Sequence, residues 1–197
     1  MKKRKIILTS LALALVLVIG GIAAYLTDAT QTETNTFTVG KVDITLTEPS
    51  WVAANGQEIV PGQVIAKDPT ITVAADSKDA FIFMEVTIPT GTVAGTANTE
   101  LFKLLDSEGN VGVNSGWTLV SKTGNTYVYG YGSATAMEAV SKSTTKTLFN
   151  SVKFVDNITS AEATALTGNQ NITVKGYAIQ ATDLGTTEPS AVWALAH

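Results

Sequence analysis

An all-β domain, a jelly-roll-like antiparallel β-sandwich with a few short helices behind an N-terminal signal helix, is predicted by three features of this chain. Threonine, valine and isoleucine are abundant, and these branched side chains suit a pleated, half-buried surface. Glycine recurs at short intervals, as it does where short strands are joined by tight turns. Apolar residues alternate with a period of two through most of residues 41–197, and no helical pattern there exceeds about ten residues.

Taken in order, Phe37 and Val39 alternate on one parity, and Val42, Ile44 and Leu46 continue on the other after Gly40. A switch of one residue at a glycine predicts a β-bulge. Pro61-Gly62 predicts a turn. Ile71 and Val73 form a short strand ahead of the polar turn Asp76-Ser77-Lys78-Asp79. Residues 80–88 carry the strongest strand signal: Ile82, Met84, Val86 and Ile88 share one face, and Phe81 and Phe83 occupy the other before Glu85 and Thr87. Burial on both faces predicts a central strand, which Pro89 ends.

Trp117 and Leu119 mark another strand, and Tyr127, Tyr129 and Tyr131 line one face of the next, their rings on the sheet and their hydroxyls in water. Residues 148–155 and 172–181 complete a set of about seven to nine strands. Three short helices are expected as connections. Thr99 caps one through Leu101, Phe102, Leu104 and Leu105, closed near Gly109. Thr159 and Glu162 have capping-box spacing for a second, which runs through Leu166 and stops at Gly168. Ser190 caps a last turn carrying Val192, Trp193 and Leu195.

The N-terminus fixes the expected compartment. Lys2-Lys3-Arg4-Lys5 precedes an apolar run from Ile6 to Ile19, and Gly21-Ile22-Ala23 supplies the small side chains a signal peptidase needs. The expected cut lies between Ala23 and Ala24, giving a signal peptide over 1–23, an extension over 24–40 and a β-sandwich domain over 41–197. The alternative is a retained anchor, because extending the run to Leu26 makes it long enough to span a bilayer. Cleavage removes four of the 13 basic residues, leaving 9 against 17 acids and a net charge of −8. Such a chain has no clustered basic surface, so nucleic acid is not expected as a partner, nor a membrane after cleavage. Cysteine is absent, so an exported domain of this size must rest on an ordinary core.

Chemistry-bearing patterns are sparse. The single histidine, His197, excludes His-Glu-x-x-His zinc sites, Ser-His-Asp triads and Cys-His dyads. No glycine-rich phosphate loop is followed by lysine. The carboxylate pairs Asp76/Asp79 and Asp106/Glu108 sit in turns; Asp106-Ser107-Glu108-Gly109-Asn110 resembles half of a calcium loop but lacks its spacing and its later bidentate glutamate. Asn157-Ile158-Thr159 and Asn171-Ile172-Thr173 match the N-glycosylation pattern, a frequent coincidence in a Thr-rich chain. The tyrosine row is a candidate sugar or peptide surface, or plain sheet packing. No catalytic residue, metal ligand or cofactor is expected, and the chain reads as a non-enzyme.

Several segments together resemble the TasA/camelysin family of exported proteins with a SipW-type signal peptide. They are Ala23-Ala24-Tyr25-Leu26-Thr27-Asp28 and Asn35 to Ile44, then Val60-Pro61-Gly62-Gln63-Val64 with Lys67 to Val73, and finally Ile172 to Gln180 with Ala191-Val192-Trp193. Val73-Ala74-Ala75 departs from the Asn-containing turn usual there, and residues 90–150 match only in strand character. The resemblance implies a jelly-roll β-sandwich, secreted to the extracellular matrix or cell surface, whose relatives build biofilm-matrix or surface fibres by donor-strand complementation. Its partner is then itself, in a head-to-tail homopolymer, after one encounter with signal peptidase. Whether an accessory matrix or anchor protein also takes part is left open. Some relatives carry a metalloprotease description, which this histidine-poor chain gives no ground to adopt.

The residues make fibre assembly physically sensible. Tyr25, Leu26, Phe37 and Val39 flank a polar stretch from Thr27 to Thr36. An extended peptide of this kind can add to an open sheet edge, its alternate side chains filling grooves. The competing readings are a loose terminus, a segment paired within its own subunit, or a surface module that binds a polysaccharide or matrix partner.

Overall fold

The computed structural model describes residues 41–168 and 170–197. The signal segment, the cleavage pair Ala23 and Ala24, the expected donor residues Tyr25, Leu26, Phe37 and Val39, and the bulge at Gly40 lie outside the described residues. Within them the chain is an all-β sandwich. Its strands are β1 (Ile44–Thr47), β2 (Val64–Ala66), β3 (Thr70–Val73), β4 (Ala80–Thr87), β5 (Thr90–Val93) and β6 (Thr96–Glu100). They continue with β7 (Phe102–Leu105), β8 (Trp117–Thr123), β9 (Thr126–Tyr131), β10 (Thr145–Thr147), β11 (Ser151–Phe154) and β12 (Thr173–Gln180). A 3-10 turn covers Ala53–Gly56, and two helices follow, α1 (Ser160–Ala165) and α2 (Pro189–Ala196).

One sheet runs β12-β4-β9-β8, antiparallel throughout. The expectation of a central strand over residues 80–88 holds. β4 pairs with β12 from Ala80↔Gln180 to Thr87↔Thr173 and with β9 from Phe83↔Gly130 to Thr87↔Thr126. The opposing layer consists of β1-β3-β10 and β2-β11-β7. These two short sheets run into one another, because the amide of Leu148 donates to the Pro69 carbonyl at 3.0 Å and that of Lys67 to Asn150 at 3.3 Å. Pro69 has no N–H to give, so the ladder is interrupted there and each long strand is split in two. Twelve strands stand among the described residues where about seven to nine were expected: the interruption splits two of them, and β5, β6 and β7 form where no strand was expected.

The layers close on a core containing Ile71, Ile82, Met84, Val86, Leu148 and Phe149, all fully buried. Gly176 on β12 permits the close approach: a Cβ there would lie 3.1 Å from Ile71 Cδ1 and 3.5 Å from Ile44 Cδ1. A second cluster lies on the outer face of the β12-β4-β9-β8 sheet. There Phe81 and Phe83 meet Val192 and Trp193 of α2, with the Phe83 and Trp193 rings 5.2 Å apart. Both faces of β4 are therefore covered, as its alternation requires.

Two expectations are corrected. The helix capped by Thr99 does not form: residues 96–100 and 102–105 are strands, and β7 pairs with β11 from Phe102↔Phe154 to Leu105↔Ser151. Leu101, Phe102, Leu104 and Leu105 fit either period, and pairing wins because it buries all four. The last helix is capped by Glu188, whose carboxylate accepts from the Ser190 and Ala191 amides, with Pro189 at its first turn in place of an opening at Ser190.

The capping box at Thr159 and Glu162 is present and reaches further than expected. The Glu162 carboxylate accepts from the Thr159 amide and from the Gly95 amide, each at 2.8 Å, tying α1 to the β5–β6 turn. The Thr159 amide first and the Gly95 amide second hold its pKa down, to about 2 against an ordinary 4.5. A depressed carboxyl pKa contributes above the unfolded value and is lost as pH falls through the folded one. Amide-exchange protection of Gly95 and Thr159 should thus be full above about pH 4.5 and lost progressively towards about pH 2. Hydrogen exchange by NMR checks this, with Glu162→Gln expected to abolish the pH dependence.

Candidate functional site

The tyrosine row is the surface the sequence offers first. Tyr127, Tyr129 and Tyr131 do share a face of β9, but that face looks into the sandwich and all three rings pack against the inter-sheet core. The hydroxyls of Tyr127 and Tyr131 are engaged by side chains rather than free in water. The Tyr127 hydroxyl donates to Glu100 and accepts from Lys122 Nζ at 2.6 Å. Tyr131 accepts from Lys146 Nζ at 2.6 Å, with that ammonium 4.2 Å from its ring centroid. Burial pushes the Tyr129 phenol up to about 12. The row is packing at its base and polar bracing at its tips.

The carboxylate turns also have structural employment. Asp106 Oδ1 accepts from the amides of Glu108 and Asn110, both at 2.9 Å, which closes the turn and lowers its pKa. Asp76 pairs with Lys41 at 2.6 Å. His197 stacks on Trp193 with centroids 4.1 Å apart.

A cleft of about 560 Å³ lies elsewhere, around Trp51. Its construction starts at the end of β1, where the Ser50 amide donates to Asp68 Oδ1 at 2.8 Å and the Trp51 amide to the Glu48 carbonyl at 3.2 Å. The 3-10 turn then folds Gly56 against the indole; a Cβ there would stand 2.8 Å from Trp51 Cη2, so a larger residue would push the indole aside. Lys67 reaches in from the loop after β2, its ammonium 2.6 Å from Glu48 Oε1 and 5.4 Å from the centre of the Trp51 ring. Ile65, Phe102 and Val152 contribute apolar lining, and Gly168, Gln170, Asn171 and Ile172 stand on a further side, before β12. Glu58, also lining the cleft, has φ +50°, the left-handed region that a non-glycine residue rarely occupies.

None of this was read from the sequence, which drew no signal from Trp51. The available clue was a tryptophan in a connection between strands, followed four residues later by the breaker Asn55-Gly56.

Compared with known proteins, residues 1–93 match the family model described as camelysin metallo-endopeptidase. The resemblance to the TasA/camelysin family therefore holds over that stretch, which runs through β1 to β5. No curated protein matches the chain. The family's description implies a metal, and the described residues do not fit one: no three of His, Cys, Asp and Glu among them gather into a group able to hold an ion. No described helix is long and apolar enough to cross a membrane.

Proposed function

From the camelysin-family match over residues 1–93, we propose that this chain is a secreted structural subunit that self-assembles into extracellular-matrix or cell-surface fibres, without enzymatic activity. Residues 24–40 of one subunit act as the donor strand for the next. The observation that carries the reading is the edge formed by β12. Over its eight residues it has a strand neighbour on one side only among the described residues. Val174 and Ala178 lean on the inter-sheet core and Tyr177 and Ile179 on the outer one, all of them only half-buried.

A strand added there extends the backbone ladder and covers the flanks of both cores at once. Lys175, the kind of charge that guards an edge, is drawn onto Glu85 at 3.2 Å and so lies along the sheet face rather than across the edge. Because donor and acceptor surfaces differ, the contact does not close, and repetition yields a filament.

Deletion of residues 24–38 tests the reading. The shortened protein should keep the melting temperature of the β-sandwich and form no filaments in negative-stain micrographs. A synthetic peptide of residues 24–38 should cap growth of the intact protein. Filaments of unchanged length after the deletion would discard donor-strand assembly. Casein hydrolysis by the purified chain, stopped by a chelator, would instead favour the activity in the family's description.

A further inference from the structure

We propose that the cleft at Trp51 is a binding site for a neutral polysaccharide, with the indole as its stacking platform. Its volume of about 560 Å³ lies within the range that small-molecule sites occupy and accommodates a few sugar rings. Pyranose rings present an apolar C–H face and a rim of hydroxyls, so they need an exposed aromatic plane beside groups that both donate and accept. Trp51 supplies the plane: it is 39% exposed and is the most accessible tryptophan among the buried and exposed large hydrophobics. Gly56 and Lys67 hold the indole before any ligand arrives, so little ordering cost remains for the bound state.

The polar complement stands around it. Gln57, Glu58 and Asn171 line the cleft, and their side chains make no hydrogen bond to any described residue. Two carboxamides provide donors and acceptors, and one carboxylate accepts twice, which matches hydroxyls that do both. Glu58 keeps its place at the cost of a left-handed backbone, and such strain is retained where the surroundings require the side chain's position.

Charge selects the class of glycan. Glu58 and Lys67 are the only charged residues among those lining the cleft. The Lys67 ammonium is already neutralised by Glu48 at 2.6 Å, so no cation is left for a phosphate, sulfate or uronate, and Glu58 repels one. An apolar peptide strand is the less suitable occupant, because it would cover three uncommitted polar side chains while offering them only its backbone.

The test uses the full chain with dextran, laminarin and galactomannan as neutral probes and polygalacturonate as the anionic one. Native affinity electrophoresis should show retardation by at least one neutral polymer and none by polygalacturonate, with a shift in tryptophan emission on titration. Trp51→Ala should weaken that retardation roughly tenfold or more, as loss of a central aromatic anchor does. Trp51→Phe should lie between, and Gln57→Ala with Asn171→Ala should weaken binding at an unchanged melting temperature. Tyr127→Phe should leave binding as it was. Retardation by none of the three neutral polymers, retardation indifferent to Trp51, or preference for polygalacturonate would each overturn the proposal. So would Trp51→Ala abolishing filaments while sparing retardation, which would assign the cleft to a subunit contact. Loss of filaments on deleting residues 24–38 with glycan binding intact would support it.

Discussion

Phe83→Ala should lower the stability of this domain by about 3–5 kcal/mol, the range for removing a large aromatic from a packed interior. Its melting temperature should fall by on the order of 10 °C. Phe83 is fully buried on a strand with neighbours on both sides, so the hole cannot be relieved by one edge moving inward. Its ring lies 5.2 Å from that of Trp193, which in turn meets Tyr177 edge-on at 4.9 Å. Removing Phe83 thus loosens α2 from the outer face as well as opening a cavity in it. Thermal and denaturant unfolding check the loss. Leu119→Ala is the control: Leu119 is 51% exposed on the edge strand β8, and truncating it should change stability by no more than about 0.5 kcal/mol. Equal losses from the two substitutions would mean that the outer cluster around α2 contributes no packing of its own.

The contrast between Phe83 and Leu119 also marks how far the sequence could be read. Around β4 both faces were legible, because Phe81 to Ile88 alternates without interruption and Pro89 ends it. Leu119 was assigned to a strand correctly, but β8 is an edge strand, so Leu119 stays 51% exposed although it pairs with Tyr129, and alternation alone does not tell an edge strand from a central one. The β5–β6 hairpin was missed for a related reason. Its turn places Ala94 at φ +49° and Gly95 at φ +79°, where Asn-Gly or Asp-Gly is the usual signal. Alanine gives no such cue. The capping box at Thr159 was legible because its chemistry is local. The Trp51 cleft was not, since its parts come from residues 51–67, 102, 152, 168 and 170–172, and only the folded sheet brings them together.

Glu48→Ala should cost about 2–3 kcal/mol, a large effect for one ion pair. The Lys67 side chain is 10% exposed and that of Glu48 25%, so the pair lies between a surface bridge and a fully desolvated one. Deleting the carboxylate leaves an ammonium in an apolar wall with only the Trp51 ring, 5.4 Å away, as partial compensation. The penalty is for the stranded charge rather than for the lost attraction, and a second substitution separates the two. Lys67→Met with Glu48→Leu removes both charges and keeps the volume, and should come within about 1 kcal/mol of the parent chain in denaturant unfolding. A double variant as unstable as Glu48→Ala would mean that the pair is a true source of stability. The same single substitution bears on recognition, because Lys67 without Glu48 leaves an unbalanced cation beside the indole. Glu48→Ala should then admit polygalacturonate to the cleft while retaining the neutral polymers, so the carboxylate that steadies the fold also sets which glycans are turned away.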